Sequence, residues 1–207
     1  MSPDVIKKAL FQLKKDKFLA KIIKKSPKPV FKKSTDYFQS LVRSIIYQQL
    51  SGQAAGTILR RFKSLFRSGL TPQKVLKLKD KDFKSVGISS QKMNYLRDLS
   101  LKFLDGTINP KLFKEMTDEA IRTHLISVKG IGRWTADMFL MFTLCRTDVL
   151  PTGDLGIQKG FARLFNLKKL PNTERMEKIA ENWRPYRTIA SWFLWRVVDG
   201  DTEDSDW

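Results

Sequence analysis

Cysteine and histidine are almost absent from this 207-residue sequence, which contains one of each, Cys145 and His124. A single cysteine excludes an internal disulfide framework, and one residue of each kind cannot supply the ligands of a Cys/His zinc site or of a four-cysteine iron–sulfur cluster. A lone histidine also argues against a histidine-based catalytic triad. We therefore interpret Cys145 as a small hydrophobic core residue and His124 as a structural residue.

Long apolar runs are missing too, since no segment approaches the ~18 apolar residues needed to span a bilayer. The N-terminus lacks the apolar core of a secretory signal peptide, so we expect an intracellular protein without membrane association: nuclear in a eukaryote, cytoplasmic at the nucleoid in a prokaryote. Hydrophobic residues still make up 42% of the sequence, with 14 Phe and 5 Trp. This is enough to bury one core or the cores of two small lobes.

Acidic residues are few relative to basic ones: 39 Lys and Arg against 21 Asp and Glu give a formal net charge of +18. This balance predicts a polyanionic partner, whether nucleic acid, a membrane surface or an acidic protein. Residues 1–33 hold eleven lysines and two aspartates, a net charge of +9, whereas residues 199–207 form an acidic tail. Three interpretations of the basic segment stay open: a DNA-contacting face, a nuclear-import signal, or a solvated helix surface, because apolar residues interleave with the lysines at helical spacing.

Apolar residues recur three and four positions apart along nearly the whole chain, a period typical of helices, and alternating β-branched runs are scarce. Two such segments, 38–49 and 54–66, meet at Gly52. No internal repeat, low-complexity block or flexible linker interrupts the pattern. We predict a compact all-α protein of eight to ten helices, folded as a single domain over residues 1–207.

Two glycines, Gly130 and Gly132, stand close together in the motif VKGIGRW. Thr117 fits an N-cap for a helix before this motif, and helix formers follow it, so residues 117–142 are predicted to form a helix, a hairpin turn and a second helix. The turn would expose amide N–H groups at the positive end of the second helix, where a DNA phosphate binds favourably. The alternative is an ordinary turn between helices with a C-capping glycine.

Four sequence blocks occur in a characteristic order: IIYQQLSGQAA at 45–55, GISSQKM at 87–93, ISVKGIGRWTADMFLMF at 126–142 with DVLPTGDLGI at 148–157, and WRPYR at 183–187 continuing to Trp195. Together they resemble the helix-hairpin-helix (HhH-GPD) superfamily of DNA glycosylases, in particular its 3-methyladenine DNA glycosylase II branch. The resemblance extends over about residues 36–198. It implies a two-lobed helical HhH-GPD glycosylase fold whose active site lies in the cleft between the lobes, with lobe one at about 36–108 and lobe two at about 1–35 plus 109–198.

Asp154 is implied by the resemblance to be the catalytic carboxylate. Breaking an N-glycosidic bond develops positive charge on the sugar, and a desolvated carboxylate stabilises that charge or positions the attacking water. The residues alone favour another interpretation, in which Asp154 is the N-cap of a helix that begins with Leu155. The two roles are compatible.

Trp134 determines the expected reaction type. By the resemblance, superfamily members that also cleave the DNA strand carry a nucleophilic lysine at this position. An indole has no amine for covalent attack, so we expect water to be the nucleophile, an abasic site to be the product, and no lyase activity. The neighbouring Lys129 and Lys159 are interpreted as phosphate contacts or surface charge.

Four residues are candidates for the base pocket: Trp134, Trp195, Tyr47 and Met138. The resemblance makes Trp195 a second pocket aromatic, and an electron-rich indole attracts cationic bases such as 3-methyladenine or 7-methylguanine by ~0.5–2 kcal/mol. Ethenoadenine and hypoxanthine are further candidate substrates. For the aromatic residues the alternative is core packing at helical spacing.

Leu50 is the candidate for the side chain that fills the duplex when the damaged nucleotide is flipped out. It lies between Gln49 and Ser51 at a predicted helix end, where family members place an intercalating residue. The alternative is a core leucine. Gln49 and Ser51 are further candidates for DNA contact, and the alternative for Gln49 is a cap on backbone groups. Some relatives carry a histidine at the position of Ser51, so the resemblance leaves the strength of base excision open.

The glycine turn is expected to contact DNA through the amides of Gly130 and Gly132, with Lys129 and Arg133 adding positive charge. The resemblance also implies a monovalent cation, Na⁺ or K⁺, held by three backbone carbonyls, those of Ile126, Val128 and Gly130. No other cofactor is expected.

The sequence thus predicts a monomeric DNA repair enzyme that hydrolyses the N-glycosidic bond of alkylated purines in damaged double-stranded DNA. A damaged-DNA-binding homologue with weak or no base excision is the alternative. A third class, a noncatalytic hairpin module, is disfavoured because such a module needs neither a cleft carboxylate nor pocket aromatics nor an intercalating leucine.

Overall fold

The computed structural model describes residues 1–199, in which every regular secondary-structure element is helical. Twelve α-helices follow one another in this range: α1 Pro3–Leu13, α2 Lys17–Lys25, α3 Tyr37–Tyr47, α4 Gly52–Ser64, α5 Pro72–Lys77, α6 Asp80–Ser85, α7 Ser90–Leu104, α8 Asp118–Ile126, α9 Arg133–Met138, α10 Leu155–Leu164, α11 Thr173–Ala180 and α12 Arg187–Asp199. Three short segments have other helical geometry, two 3₁₀ turns at Pro110–Leu112 and Glu181–Trp183 and a π-helix at Phe139–Thr143. The all-α prediction is confirmed, and no helix within residues 1–199 has the length and apolar character to cross a membrane.

The helices of residues 1–199 outnumber the eight to ten predicted. Short helices explain the difference, because one such as α11 spans only eight residues and carries too little periodicity to be recognised from sequence. The acidic tail predicted at 199–207 lies, beyond Asp199, outside the described residues.

Side-chain caps fix where several helices begin. Thr117 accepts a hydrogen bond from the Ala120 amide at 3.2 Å, and Ser89 accepts one from the Lys92 amide at 3.3 Å. Each cap satisfies an amide that the first turn of a helix leaves without a partner. The predicted N-cap of α8, Thr117, is therefore confirmed.

The chain divides into two compact units. The central unit comprises Ser34–Phe139, and the terminal unit comprises Met1–Lys33 together with the described residues from Leu140 onwards. This division differs from the lobes expected from sequence, 36–108 and 1–35 plus 109–198, because residues 34–35 and 109–139 fall in the central unit. The active-site cleft expected between the lobes stays a prediction.

Aromatic and polar contacts explain why residues 109–139 belong to the central unit. The Phe113 ring meets the rings of Tyr37 and Phe139 edge-on, at centroid distances of 5.5 and 5.8 Å. Nδ1 of His124 lies 2.7 Å from the carbonyl oxygen of Thr107, a structural contact of the kind predicted for this histidine. Contacts between such distant positions leave no mark in the hydrophobic periodicity.

The terminal unit is organised around α12, which packs against α1, α2 and α10. Phe161 of α10 stacks on Trp183 with ring centroids 5.2 Å apart. Asp16 caps α2 and also accepts a hydrogen bond from the Trp183 indole at 2.9 Å. All eleven lysines of residues 1–33 are exposed, which agrees with the interpretation of a solvated helix surface and leaves DNA contact and nuclear import as predictions.

The central unit has a separate aromatic core. The Phe62 ring lies 5.1 Å from that of Phe66 and 5.8 Å from that of Phe83. Helix α7 packs against α3, α5 and α6. Helix α7 therefore connects three other helices of the central unit.

We predict that Gly160→Ala destabilises the terminal unit. A Cβ at this position of α10 would lie 2.7 Å from the backbone oxygen of Leu194 in α12. A backbone atom within a helix can move away only at a cost in the free energy of folding. We expect the free energy of unfolding to fall by about 1–3 kcal/mol, measured by urea denaturation. Gly153→Ala is the matched control, because a Cβ there meets nothing within 4 Å. Equal midpoints for the two variants would contradict the prediction.

Candidate functional site

Asp154 is the N-cap of α10 in the terminal unit, where it follows the turn Pro151–Gly153. Its Oδ1 accepts a hydrogen bond from the Ile157 amide at 2.8 Å and a second from Nε1 of Trp195 at 2.9 Å. The side chain is half-buried. The cap interpretation is confirmed, and two donors on one oxygen fix the orientation of the carboxylate that the resemblance makes catalytic.

Gly156 allows the Trp195 indole to reach Asp154. A Cβ on Gly156 would lie 2.8 Å from Cδ1 of Trp195 and 3.0 Å from Oδ1 of Asp154. Any larger residue would push the indole or the carboxylate out of place. Sequence reasoning found both partners but gave this glycine no role, although the pattern Gly-Asp-Leu-Gly contains it.

An ion-pair network anchors the segment before Asp154 to the start of α12. The carboxylate of Asp148 accepts hydrogen bonds from Nε of Arg187 at 2.7 Å, from Nη2 of Arg187 at 3.0 Å and from Nη1 of Arg184 at 2.7 Å. Thr188 adds a backbone hydrogen bond to the Thr147 carbonyl at 2.9 Å. Helix α12 also carries Trp195, which donates to Asp154. The same helix therefore holds both ends of the segment 148–154, Asp148 through Arg187 and Asp154 through Trp195.

Trp195 packs against the core, which is one of the two roles that the sequence left open. Its ring packs beside Phe142, with centroids 6.0 Å apart, and is partly buried against the core of the terminal unit. Its indole N–H is committed to Asp154. The structure thus brings together two of the predicted site residues, and the pocket role of Trp195 stays a prediction.

In the central unit, residues 127–132 form the hairpin between α8 and α9, as predicted. Gly130 adopts a left-handed backbone with φ +81°, and Gly132 is the N-cap of α9. Within residues 1–199 the amides of these two glycines have no hydrogen-bond partner. The Lys129 amide, in contrast, donates to Oδ2 of Asp98 at 2.8 Å. The two amides expected to bind phosphate are therefore available for it, whereas that of Lys129 is not.

The exposed side chains of Lys129 and Arg133 flank the hairpin. Nη1 of Arg133 lies 3.5 Å from a carboxylate oxygen of Glu119, a loose contact between two largely exposed groups. Such a surface pair is weak, so it leaves the guanidinium able to contact a polyanion.

Two of the three carbonyls expected to hold a monovalent cation, those of Val128 and Gly130, already accept hydrogen bonds. The Val128 oxygen accepts one from the Ile131 amide at 3.0 Å, and the Gly130 oxygen accepts one from Nε2 of Gln48 at 2.8 Å. Each carbonyl oxygen has two lone pairs, so these hydrogen bonds are compatible with a cation bound to the same oxygens. The cation stays a prediction for this hairpin.

Residues 48–51 form the α3–α4 turn, which carries the candidate intercalating side chain. Gln49 has a left-handed backbone with φ +57°, and the side chain of Leu50 is 41% exposed. Ser51 caps α4 by accepting the Ala54 amide at 3.4 Å. This exposure excludes the alternative of a core leucine, and the intercalating role stays a prediction.

The remaining pocket candidates lie in different environments. Trp134, in the first turn of α9, is 39% exposed, which argues against core packing, whereas Met138 one turn later is buried. One face of the Tyr47 ring is covered by the guanidinium of Arg43, 4.1 Å from the ring centroid. Of the two tyrosine faces, only the other could therefore contact a base.

A buried ion pair joins the two helices of the hairpin motif. Nε of Arg122 in α8 lies 2.6 Å from Oδ1 of Asp137 in α9, and the Asp137 side chain is only 5% exposed. Burial raises the pKa of the Asp137 carboxyl, and the Arg122 guanidinium opposes that change. Nη1 of Arg122 also contacts Glu119, an exposed residue, at 2.9 Å. Sequence reasoning missed this pair because its members carry no motif of their own.

Comparison with known proteins identifies relatives that agree with the family resemblance of the sequence. The family described as "HhH-GPD superfamily base excision DNA repair protein" matches residues 42–185. DNA-3-methyladenine glycosylase 1 of Schizosaccharomyces pombe is 35% identical over 163 residues, which cover 77% of this chain and 72% of the relative. DNA-3-methyladenine glycosylase of Saccharomyces cerevisiae is 32% identical over 236 residues, with coverage of 92% and 79%. A solved structure of the S. pombe 3-methyladenine DNA glycosylase in complex with abasic DNA is similar at a TM-score of 0.79 and 31% identity, covering 91% of this chain and 95% of that one.

We predict that Asp137→Ala destabilises the protein far more than Glu119→Ala. Removal of Asp137 leaves the Arg122 guanidinium buried without its carboxylate, which costs about 3–5 kcal/mol. Glu119 contacts the same guanidinium from solvent, so its removal costs less than about 1 kcal/mol. Thermal and urea unfolding of the two variants beside the wild type measure the difference. Similar losses in both variants would show that burial does not decide the strength of this contact.

Proposed function

Since the chain belongs to the HhH-GPD superfamily of base excision DNA repair proteins, we propose that it is a DNA glycosylase that releases alkylated purines from double-stranded DNA. The observation that carries this proposal is the Asp154 carboxylate, held at the start of α10 by the Ile157 amide and the Trp195 indole. The relatives named as 3-methyladenine DNA glycosylases support the choice of substrate class.

In the proposed reaction the bond between C1′ of the sugar and the purine nitrogen breaks, and its electron pair leaves with the base. An alkylated purine such as 3-methyladenine or 7-methylguanine is cationic, so it departs as a neutral molecule and needs little help from a general acid. Positive charge develops on the sugar, where the Asp154 carboxylate stabilises it. A water molecule then adds its oxygen to C1′ and loses a proton, which leaves an abasic site.

Trp134 supports hydrolysis without strand cleavage. An indole offers no amine that could form a Schiff base with the sugar. Its exposed ring is instead suited to stack on a flipped base, and a cationic purine gains ~0.5–2 kcal/mol from the electron-rich face. This preference favours methylated purines. The other candidate substrates, ethenoadenine and hypoxanthine, lack the positive charge and would bind through stacking alone.

Binding of the duplex is assigned to the central unit. The available amides of Gly130 and Gly132 would bind backbone phosphate, with Lys129 and Arg133 adding charge, and the exposed Leu50 would enter the space that the flipped nucleotide leaves. We expect the protein to act as a monomer, with Na⁺ or K⁺ at the hairpin carbonyls.

A second function, damaged-DNA binding with weak or no excision, is favoured by one residue. By the family resemblance, some relatives carry a histidine where this chain has Ser51. The Ser51 hydroxyl accepts the Ala54 amide as the cap of α4, so it contributes less to a DNA contact than an imidazole would.

We predict that the purified protein releases 3-methyladenine or 7-methylguanine from methylated duplex DNA, and that Asp154→Asn slows release at least about 100-fold. The amide oxygen still accepts both hydrogen bonds, so DNA affinity should change little. Released bases are measured by chromatography and affinity by fluorescence anisotropy. Asp36→Asn is the matched control, since Asp36 caps α3 in the same way at a position without a proposed role in the reaction.

Absence of release of every alkylated or ethenylated purine by the wild type, together with retained binding to damaged duplex, would replace the glycosylase proposal by the second function. Equal loss of release in the Asp154 and Asp36 variants would show that the carboxylates matter only as helix caps.

We predict that the wild type neither nicks abasic duplex DNA nor forms a covalent adduct with it in the presence of borohydride, because position 134 has no amine. A bifunctional glycosylase run in parallel serves as the positive control. Gel electrophoresis under denaturing conditions measures both products. A trapped adduct that disappears in Lys129→Ala or Lys159→Ala would overturn the assignment of hydrolysis.

A further inference from the structure

The block GISSQKM at 87–93 has no role in the proposed chemistry, although it leads into α7. Lys92 in the first turn of this helix turns its side chain to α3. Its Nζ donates hydrogen bonds to the carbonyl oxygens of Ile46 and Gln48, each at 2.7 Å. The last carbonyls of a helix lack partners within the helix and carry its negative dipole end. The ammonium therefore closes the end of α3 from a neighbouring helix.

These two carbonyls precede the candidate intercalating residue directly. Gln48 is followed by Gln49, which has the left-handed backbone, and then by the exposed Leu50. Ser51 fixes the other side of the α3–α4 turn as the cap of α4. Leu50 is thus the tip of a turn held at both ends, and Lys92 supplies one of the two attachments.

The same helix also holds the hairpin. The ring of Tyr95 packs so closely against Gly130 that a Cβ there would lie 2.2 Å from Cδ2 of the ring. Asp98 accepts the Lys129 amide at 2.8 Å. The side chain of Gln48 closes the connection by donating to the Gly130 carbonyl at 2.8 Å. Lys92, Tyr95 and Asp98 follow one another at three-residue spacing, so one face of α7 supports both the α3–α4 turn and the hairpin.

We propose that Lys92 is a positioning residue for base flipping, which holds the α3–α4 turn in fixed register with the hairpin so that Leu50 enters the duplex beside the phosphate bound there. This inference rests on the proposed function, because it takes the turn and the hairpin as the DNA-contacting elements. Leu50 must push between stacked bases, and a turn whose backbone gave way would transmit no force to them. Burial lowers the pKa of Lys92, which reflects an ammonium withdrawn from water onto the two carbonyls.

A merely structural role predicts something different. If Lys92 only stabilised the end of α3, its loss would lower the melting temperature and reduce all activities in proportion. A positioning role predicts a selective loss, large where bases must be unstacked and small where the damaged base is already unpaired, because flipping then costs least.

The first experiment measures insertion without catalysis. A duplex carries a stable abasic analogue opposite 2-aminopurine, whose fluorescence rises when Leu50 disturbs its stacking, and protein is added to saturation. We expect a rise with the wild type, little rise with Leu50→Ala, and an equally small rise with Lys92→Met. Lys92→Arg should restore most of the signal, because a guanidinium can donate to both carbonyls. Lys84→Met removes an exposed lysine from α6 and is the charge-matched control.

The second experiment measures base release by the same variants. Lys92→Met is expected to slow release from a fully paired duplex about tenfold, and release from an unpaired lesion no more than about twofold. The double variant Lys92→Met with Leu50→Ala should be no slower than Leu50→Ala alone, since both changes remove the same insertion. Circular dichroism and melting temperature establish folding, and Lys92→Ala, which also removes both hydrogen bonds, replaces Lys92→Met should the latter not fold.

Equal slowing on paired and unpaired lesions, or additive losses in the double variant, would overturn the proposal in favour of a structural role. A full fluorescence rise with Lys92→Met would also overturn it. The two proposals fail separately: a wild type that releases no base but shows the expected fluorescence pattern would contradict the glycosylase function and leave the role of Lys92 intact.

Discussion

The contact between α10 and α12 is the constraint on which the terminal unit depends. Gly160 lets the backbones of α10 and α12 approach so closely that a Cβ on Gly160 would lie 2.7 Å from the backbone oxygen of Leu194. Gly156 lets the Trp195 indole reach the start of α10. The carboxylate of Asp154 receives its second hydrogen bond only because of this approach. Core packing and the geometry of the candidate catalytic group are therefore set by the same interface, so a change that widens it acts on both.

In the central unit, side chains hold the backbone of the two segments that are proposed to contact DNA, the α3–α4 turn and the hairpin. The groups proposed to bind DNA at the hairpin are main-chain amides, and Leu50, the proposed intercalating residue, lies in a turn whose Gln48 carbonyl accepts a hydrogen bond from Lys92. Helix α7 supplies the supporting residues and itself offers no group to the proposed reaction. Under the proposed function, α7 would thus determine where the DNA contacts are made without making one itself.

Local signals in the sequence were sufficient for the longer helices, for two of their N-caps and for the hairpin. Thr117 and Asp154 are recognisable caps because their hydrogen bonds span three residues, and the glycine motif identified the hairpin. The boundary between the units could not be predicted, since it depends on rings such as Phe113 meeting distant partners. The same holds for the contact of Lys92 with Ile46, which joins residues 46 positions apart without a spacing rule. The Arg43 guanidinium on Tyr47 lies within one helix turn, yet sequence alone did not tell which partner that ring would take.

The terminal unit is discontinuous in sequence, and this imposes an order on its assembly during synthesis. Helices α1 and α2 are synthesised before the central unit, whereas α12, which packs against both of them, is synthesised after it. The central unit is continuous in sequence and is synthesised completely before α12. It can therefore fold before the terminal unit is complete, because domains generally fold as units. Until α12 is made, Leu13 and Leu19 lack part of the core into which they pack. The positive charge of the exposed lysines in residues 1–33 favours solubility of this segment and opposes its association with other copies.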